Sequence, residues 1–160
     1  GSLYIGDNPN SAVNINDLDV LCKGVYDLNN MANNTIATLV KVDTEDLVVE
    51  WTQQLNNIYN AKNLVSNTSG SVYFFTAFDG IYTMNNTGVG VSKLEPIISD
   101  VLFVKNEEYN PTDTTIATSN MMYVNDAENS PNTIYKYNLV LSSFVDTIIV
   151  DGNVRDINYY

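Results

Sequence analysis

Chemistry in this chain has to come from carboxylates, amides and tyrosines. There is no histidine, and Cys22 is the single cysteine among 160 residues. Ser-His and Cys-His catalysis needs a base that is not there. Zinc sites of Cys and His are excluded for the same reason. No Gly-x-x-x-x-Gly-Lys or Gly-x-Gly-x-x-Gly run is present, which removes the common nucleotide cradles. Cleavage of a sugar bond needs two carboxyl groups placed across it. Asp43, Glu50, Asp79, Asp100 and Glu107 are candidates, but no spacing among them brings any two together. Carboxylates in turns more often punctuate the chain and face water. Asp7, Asn8 and Asn10, and again Asp43, Glu45 and Asp46, gather the hard oxygen ligands that calcium takes. Neither set follows an EF-hand loop, and both read as ordinary turns. No catalytic residue, metal ligand or cofactor is therefore assigned.

Aromatic side chains are the stronger candidates. The chain has 11 tyrosines and one tryptophan. Each offers a flat apolar body with a polar tip, suited to sugars or to protein surfaces. Trp51, Tyr73, Tyr82, Tyr123 and Tyr135 are the candidate ligand-binding residues; Tyr137 shares their strand context. Strand tyrosines also serve as core or cross-strand pairs, and Trp51 reads as core. Tyr159-Tyr160 could form a recognition surface or an interface.

The residues that must position these groups are uncharged for the most part. Charged residues make up 16 % of the chain, against roughly a quarter in an average domain. Asparagine fills the gap, with doublets at Asn29-Asn30, Asn33-Asn34, Asn56-Asn57 and Asn85-Asn86. It favours turns, tolerates left-handed backbone and is poor inside helices. Net charge is −12. The few cations are scattered singly, so nucleic acid and anionic membrane surfaces are rejected as partners. No apolar run reaches the ~18 residues of a membrane span. Cys22, beside Leu21 and Val25, reads as a small buried hydrophobe. Asn33, Asn67 and Asn85 begin N-glycosylation sequons, as expected by chance in a chain rich in Asn and Thr. Gly1-Ser2 reads as a cloning remnant, and residues 3–160 as a single mainly-β domain, an excised part of a longer chain being one form of it.

The pattern predicts one short helix. Leu18, Leu21, Cys22, Val25 and Leu28 recur at three- and four-residue steps across Ile15–Leu28, with Asn14 or Asn16 as cap. Strands are predicted elsewhere: at Leu3–Ile5, Thr35–Val42 and Leu47–Trp51, then Val72–Phe78 and Ile81–Met84 about an Asp79-Gly80 turn of type I′. Further strands are expected at Ile97–Lys105, Asp113–Thr118, Met121–Val124, Thr133–Val140, Thr147–Val150 and Val154–Tyr159. Gln53–Lys62 fits either a helical turn or a twisted strand. Short strands at even spacing predict a mainly β fold of antiparallel hairpins.

A faint repeat runs through these hairpins. Thr-Ile-Ala-Thr occurs at 35–38 and at 115–118, with Phe74-Phe75-Thr76-Ala77 near the midpoint, so the offset is roughly 40 residues. Val72–Met84, Thr114–Val124 and Thr147–Ile157 resemble blades of a β-propeller, although no Trp-Asp dipeptide and no Ser-x-Asp-x-Gly box is present. The resemblance implies propeller-like blades; the alternative arrangement of the hairpins is a sandwich or barrel. Asn14-Ile15-Asn16-Asp17-Leu18-Asp19 with Val25-Tyr26-Asp27-Leu28 is loosely similar to the short N-terminal helix of phage baseplate and tail-fibre proteins. That resemblance implies a non-enzymatic structural or recognition module of an extracellular or virion assembly. Its expected partners are other protein subunits, a homo-oligomer among them, and glycans. The alternatives are a carbohydrate-binding module that uses exposed Tyr and Trp, and a glycan-cleaving enzyme with paired carboxylates.

Overall fold

The computed structural model describes residues 2–14, 17–109 and 117–157. Twelve strands among them form three four-stranded antiparallel sheets. The first holds β1 (Pro9–Asn14), β2 (Leu18–Cys22), β3 (Thr38–Asp43) and β4 (Val48–Gln54). The second holds β5 (Lys62–Ser66), β6 (Val72–Ala77), β7 (Gly80–Asn85) and β8 (Ser92–Glu95). The third holds β9 (Leu102–Tyr109), β10 (Ala117–Asp126), β11 (Ser130–Asn138) and β12 (Ser143–Ile149). In each sheet the strands lie side by side in chain order.

The sheets stack face to face. Leu21 and Leu39 of the first pack against Tyr73, Phe75, Tyr82 and Met84 of the second. The opposite face of the second, with Phe74 and Ile81, packs on Leu102, Met122, Val124 and Tyr137 of the third. Alternation along a strand sends neighbouring residues to opposite faces, which is why Phe74 and Phe75 serve different interfaces. The first strands of the sheets also meet, β1 against β5 and β5 against β9. Side chains tie them: Ser11 Oγ accepts the Leu64 amide at 2.8 Å, and the Asn63 side-chain amide donates to the Asp100 carbonyl at 3.0 Å.

The helix expected over Ile15–Leu28 is not formed; the described residues contain no α-helix, only a 3-10 turn at Met31–Asn33. The spacing of Leu18, Leu21 and Cys22 fits a helix, but this strand is buried on both faces. Val20 and Cys22 face one side with Val40 and Val42, and Leu21 faces the other. Two superposed period-2 patterns leave an apolar run that mimics a helical stripe. Gly24 then turns the chain with φ +72, and a Cβ there would lie 2.2 Å from the Thr35 carbonyl oxygen. Leu3–Ile5 is not a strand either. Its segment lies on the outer face of the first sheet, where Ile5 joins Val20 and Cys22.

The hairpin of β6 and β7 turns one residue earlier than expected. Ala77 pairs with Gly80, and neither Phe78 nor Asp79 has positive φ, so the turn is not type I′. Gly80 is needed for proximity: a Cβ would sit 2.4 Å from the Glu95 carbonyl oxygen of β8. Met121–Val124 is not a separate strand. It continues β10, whose Ser119 and Asn120 pair with Glu107 and Asn106. The Thr-Ile-Ala-Thr copies therefore sit differently: 35–38 leads into the third strand of its sheet, whereas 117–118 opens the second strand of its own. The rest of that second copy, and the expected strand at Asp113–Thr118 before Ala117, lie outside the described residues. The end of Val154–Tyr159 does too, and 154–157 forms no strand.

Candidate functional site

Three aromatic rings meet where three connections between strands cluster. Tyr26 comes from the β2–β3 connection, Tyr59 from the β4–β5 connection and Phe78 from the tip of the β6–β7 hairpin. Tyr26 stands 5.1 Å from Phe78 and 5.6 Å from Tyr59, centroid to centroid, with rings tilted by 41° and 45°. With Asn34, Asn57 and Asp79 they line a cleft of 370 Å³. A second cleft of 530 Å³ shares Tyr26 and Phe78 and is flanked by Asn8, Asp27 and Asn60.

The backbone beneath is fixed. The Phe78 amide reaches the Tyr59 carbonyl at 3.4 Å, the Asn60 amide the Lys23 carbonyl at 3.0 Å, and the Ala37 amide the Ile58 carbonyl at 2.8 Å. Asn57 and Asn60 take left-handed conformations with φ 62 and 55, a geometry asparagine tolerates better than most residues. Leu55 and Ile58 anchor this connection in the core.

The carboxylates around the rings are already engaged, and Lys23 is among the residues lining the second cleft. Lys93 pairs with Asp79, whose carboxylate also accepts the Tyr82 hydroxyl at 2.9 Å. Burial works to raise the Asp79 pKa, but the Lys93 ammonium and the Tyr82 hydroxyl outweigh it and hold it below the ordinary value. Asp27 accepts the Asn29 amide at 2.8 Å and caps its own turn. Asn34 Oδ1 accepts the Asp27 amide at 2.6 Å. The clefts are lined by aromatic rings and asparagine amides, with Asp79 and Met31 in the first and Lys23 and Asp27 in the second.

The residues expected to bind a ligand lie elsewhere. Tyr73 and Tyr82 belong to the core between the first two sheets, and Trp51 packs against it. Tyr82 stacks on Phe75 with centroids 5.5 Å apart. Tyr73 donates its hydroxyl to Asp19, a buried carboxylate whose second oxygen has no partner. Burial raises the Asp19 pKa; the Tyr73 hydrogen bond and Lys41 pull it the other way without cancelling the effect. Burial first, then the Asp19 contact, raises Tyr73 well above its ordinary value. Tyr135 packs against the core between the second and third sheets, edge-on to Phe144 at 5.7 Å. Tyr123 lies on the other face of the third sheet, 6.1 Å from Phe103, with Lys136 above its ring at 5.6 Å. Trp51, Tyr73 and Tyr82 are thus brought together as packing, and Tyr123 and Tyr135 occupy opposite faces of another sheet.

The candidate carboxylates are dispersed. Asp43 accepts the Glu45 and Asp46 amides at 2.7 and 3.0 Å, and these bonds hold its pKa below the ordinary value. Glu50 pairs with Lys41 at 3.5 Å and Asp100 with Lys62 at 3.9 Å. The Glu107 side chain and Tyr159-Tyr160 lie outside what the structure describes.

Sequence reasoning passed over Tyr26, Tyr59 and Phe78. A usable signal was present: each is flanked by Asn or Asp in a connection, as in Tyr26-Asp27, Asn57-Ile58-Tyr59-Asn60 and Phe78-Asp79. No protein-family model matches this chain, and no curated protein matches it.

Proposed function

We propose that this protein is a non-enzymatic structural and recognition module of a larger extracellular or virion assembly, with its sheets acting as blades of a propeller-like array. The supporting arrangement is three consecutive four-stranded meanders, stacked face to face with their first strands in contact. The observation that carries the assembly reading is the outer edge of the third sheet. Ile148 and Ile149 are neighbours in β12 and point to opposite faces, yet both are exposed, at 46 % and 75 %. Val140, Leu141 and Phe144 extend the apolar surface along the same hairpin. An open edge strand that ends in exposed apolar residues on both faces invites another chain to pair with it. The loop-borne cleft then supplies recognition, as connections on a rigid scaffold commonly do.

Absolute mass by light scattering after size exclusion tests the assembly reading. The expected result is a species heavier than one chain, reduced to the monomer by Ile148→Lys with Ile149→Lys. A wild-type protein that stays monomeric at high concentration would overturn it.

A further inference from the structure

We infer that the paired clefts around Tyr26 and Phe78 bind a neutral oligosaccharide, and that Tyr26, Tyr59 and Phe78 are its stacking platforms. The inference rests on the recognition half of the reading above and is independent of the subunit contacts.

Four observations converge. The rings are presented rather than packed away: Phe78 is 52 % exposed although it is anchored at a hairpin tip. An exposed phenylalanine costs apolar hydration unless something covers it, and the tilted rings of Tyr26 and Phe78 leave different faces open at one centre. Pyranose rings have one or both faces lined by C–H groups, which lie well on an aromatic surface, while their hydroxyls need donors and acceptors at the rim. Asn34 and Asn57 stand at that rim. An amide carries both a donor and an acceptor, which matches a hydroxyl better than a fixed charge does.

The second argument is size. Clefts of 370 and 530 Å³ meet at Tyr26 and Phe78. Each falls within the range of small-ligand sites. Two of them about a common aromatic wall suit consecutive sugar units rather than a single ring.

The third argument is charge. Asp79 is neutralised by Lys93, and Asp27 is bound to its own turn. Lys23 is the cation among the residues lining the second cleft, beside Asp27, and the first cleft is lined by Asp79; the whole chain carries −12. Against that net charge, a single lysine beside two carboxylates leaves an anionic sugar with net repulsion. Neutral hexose or N-acetylhexosamine units avoid it.

The fourth is preorganisation. Backbone bonds from Phe78 to Tyr59, Asn60 to Lys23 and Ala37 to Ile58 lock the three contributing segments to one another. The rings are therefore held in place before any ligand arrives, which lowers the entropic cost of binding.

Isothermal titration with maltotriose, cellotriose, chitotriose, lactose and 3′-sialyllactose tests this. Saturable binding of at least one neutral sugar is expected, weakened tenfold or more by Phe78→Ala and by Tyr26→Ala. Phe78→Trp should keep or strengthen binding, because a larger ring preserves the platform. Circular dichroism and the thermal midpoint should be unchanged in Phe78→Ala, which separates lost recognition from lost folding. Three results would overturn the inference: no heat from any neutral sugar up to about 10 mM, a range that still reports very weak complexes; binding that survives both alanine variants; or tighter binding of 3′-sialyllactose than of lactose. A monomer that binds sugar would sink the assembly reading and leave this one standing. An oligomer without sugar binding would do the reverse.

Discussion

Tyr73 and Phe78 lie five residues apart in one hairpin and have opposite environments. Tyr73 is 1 % exposed, wedged between two sheets with its hydroxyl on a buried carboxylate. Phe78 is half exposed at the tip, with its amide on the Tyr59 carbonyl and its ring beside Tyr26. The contrast extends to their neighbours: Phe75 and Tyr82 with Tyr73, and Tyr26 and Tyr59 with Phe78. Tyr73, Phe75 and Tyr82 join sheets, and Tyr26, Tyr59 and Phe78 in the connections are left to meet something else. Substitutions in the two groups therefore separate stability from recognition.

The largest effect should come from Phe75→Ala. Phe75 is fully buried between the first two sheets, and truncating such a ring costs about 3–5 kcal/mol. Urea unfolding should show the loss; a change under 1 kcal/mol would mean that the stacked interface does not hold the molecule together.

Tyr73→Phe comes next and carries a pH signature. Burial raises the Asp19 pKa above its unfolded value, so the folded state holds that proton more tightly. The stability this contributes is complete below the unfolded pKa and is lost as pH rises through the folded one. The Tyr73 hydroxyl opposes that loss by favouring the charged form. Removing it should cost about 1.5–3 kcal/mol at neutral pH, the range for hydrogen bonds to charged groups, and less in acid where Asp19 is protonated. Asp19→Asn should flatten this dependence and leave the protein as stable or more stable at pH 7. Urea midpoints between pH 3 and 8 would check both variants; a Tyr73→Phe penalty that does not vary with pH would contradict the account.

Gly80→Ala sharpens the comparison from the backbone. Its Cβ would collide with the Glu95 carbonyl at 2.4 Å, and its φ is +153. Strain of this kind costs about 1–3 kcal/mol, and it falls on the hairpin that carries Phe78. Both stability and binding should suffer, unlike in any cleft variant. The smallest stability change is expected for Phe78→Ala, within about 0.5 kcal/mol of wild type as for most exposed sites, with binding lost.

The strand content was legible because alternation and turn residues set it locally. Val72–Ala77 was expected in full and Gly80–Asn85 as Ile81–Met84, and asparagines do take left-handed backbone at Asn57, Asn60 and Asn63. Leu18–Cys22 was misread because a strand covered on both faces has no polar side, so period 2 and period 3.6 cannot be told apart over five residues. The polar pair Ser119-Asn120 falls between two expected strands, but it is held inside one ladder by β9, a partner roughly a dozen residues away. The cleft was hidden for a different reason. Tyr26, Tyr59 and Phe78 come from three separate connections, and only the stacking of the sheets brings those connections to one place.

Amide chemical-shift mapping during titration with the strongest neutral binder of the panel tests the division most directly. The account predicts saturable shifts at Tyr26, Asn34, Asn57, Tyr59 and Phe78, with the strand amides around Tyr73 and Phe75 unmoved. No saturable shift, or shifts centred on Trp51, Tyr123 and Tyr135 instead, would contradict it.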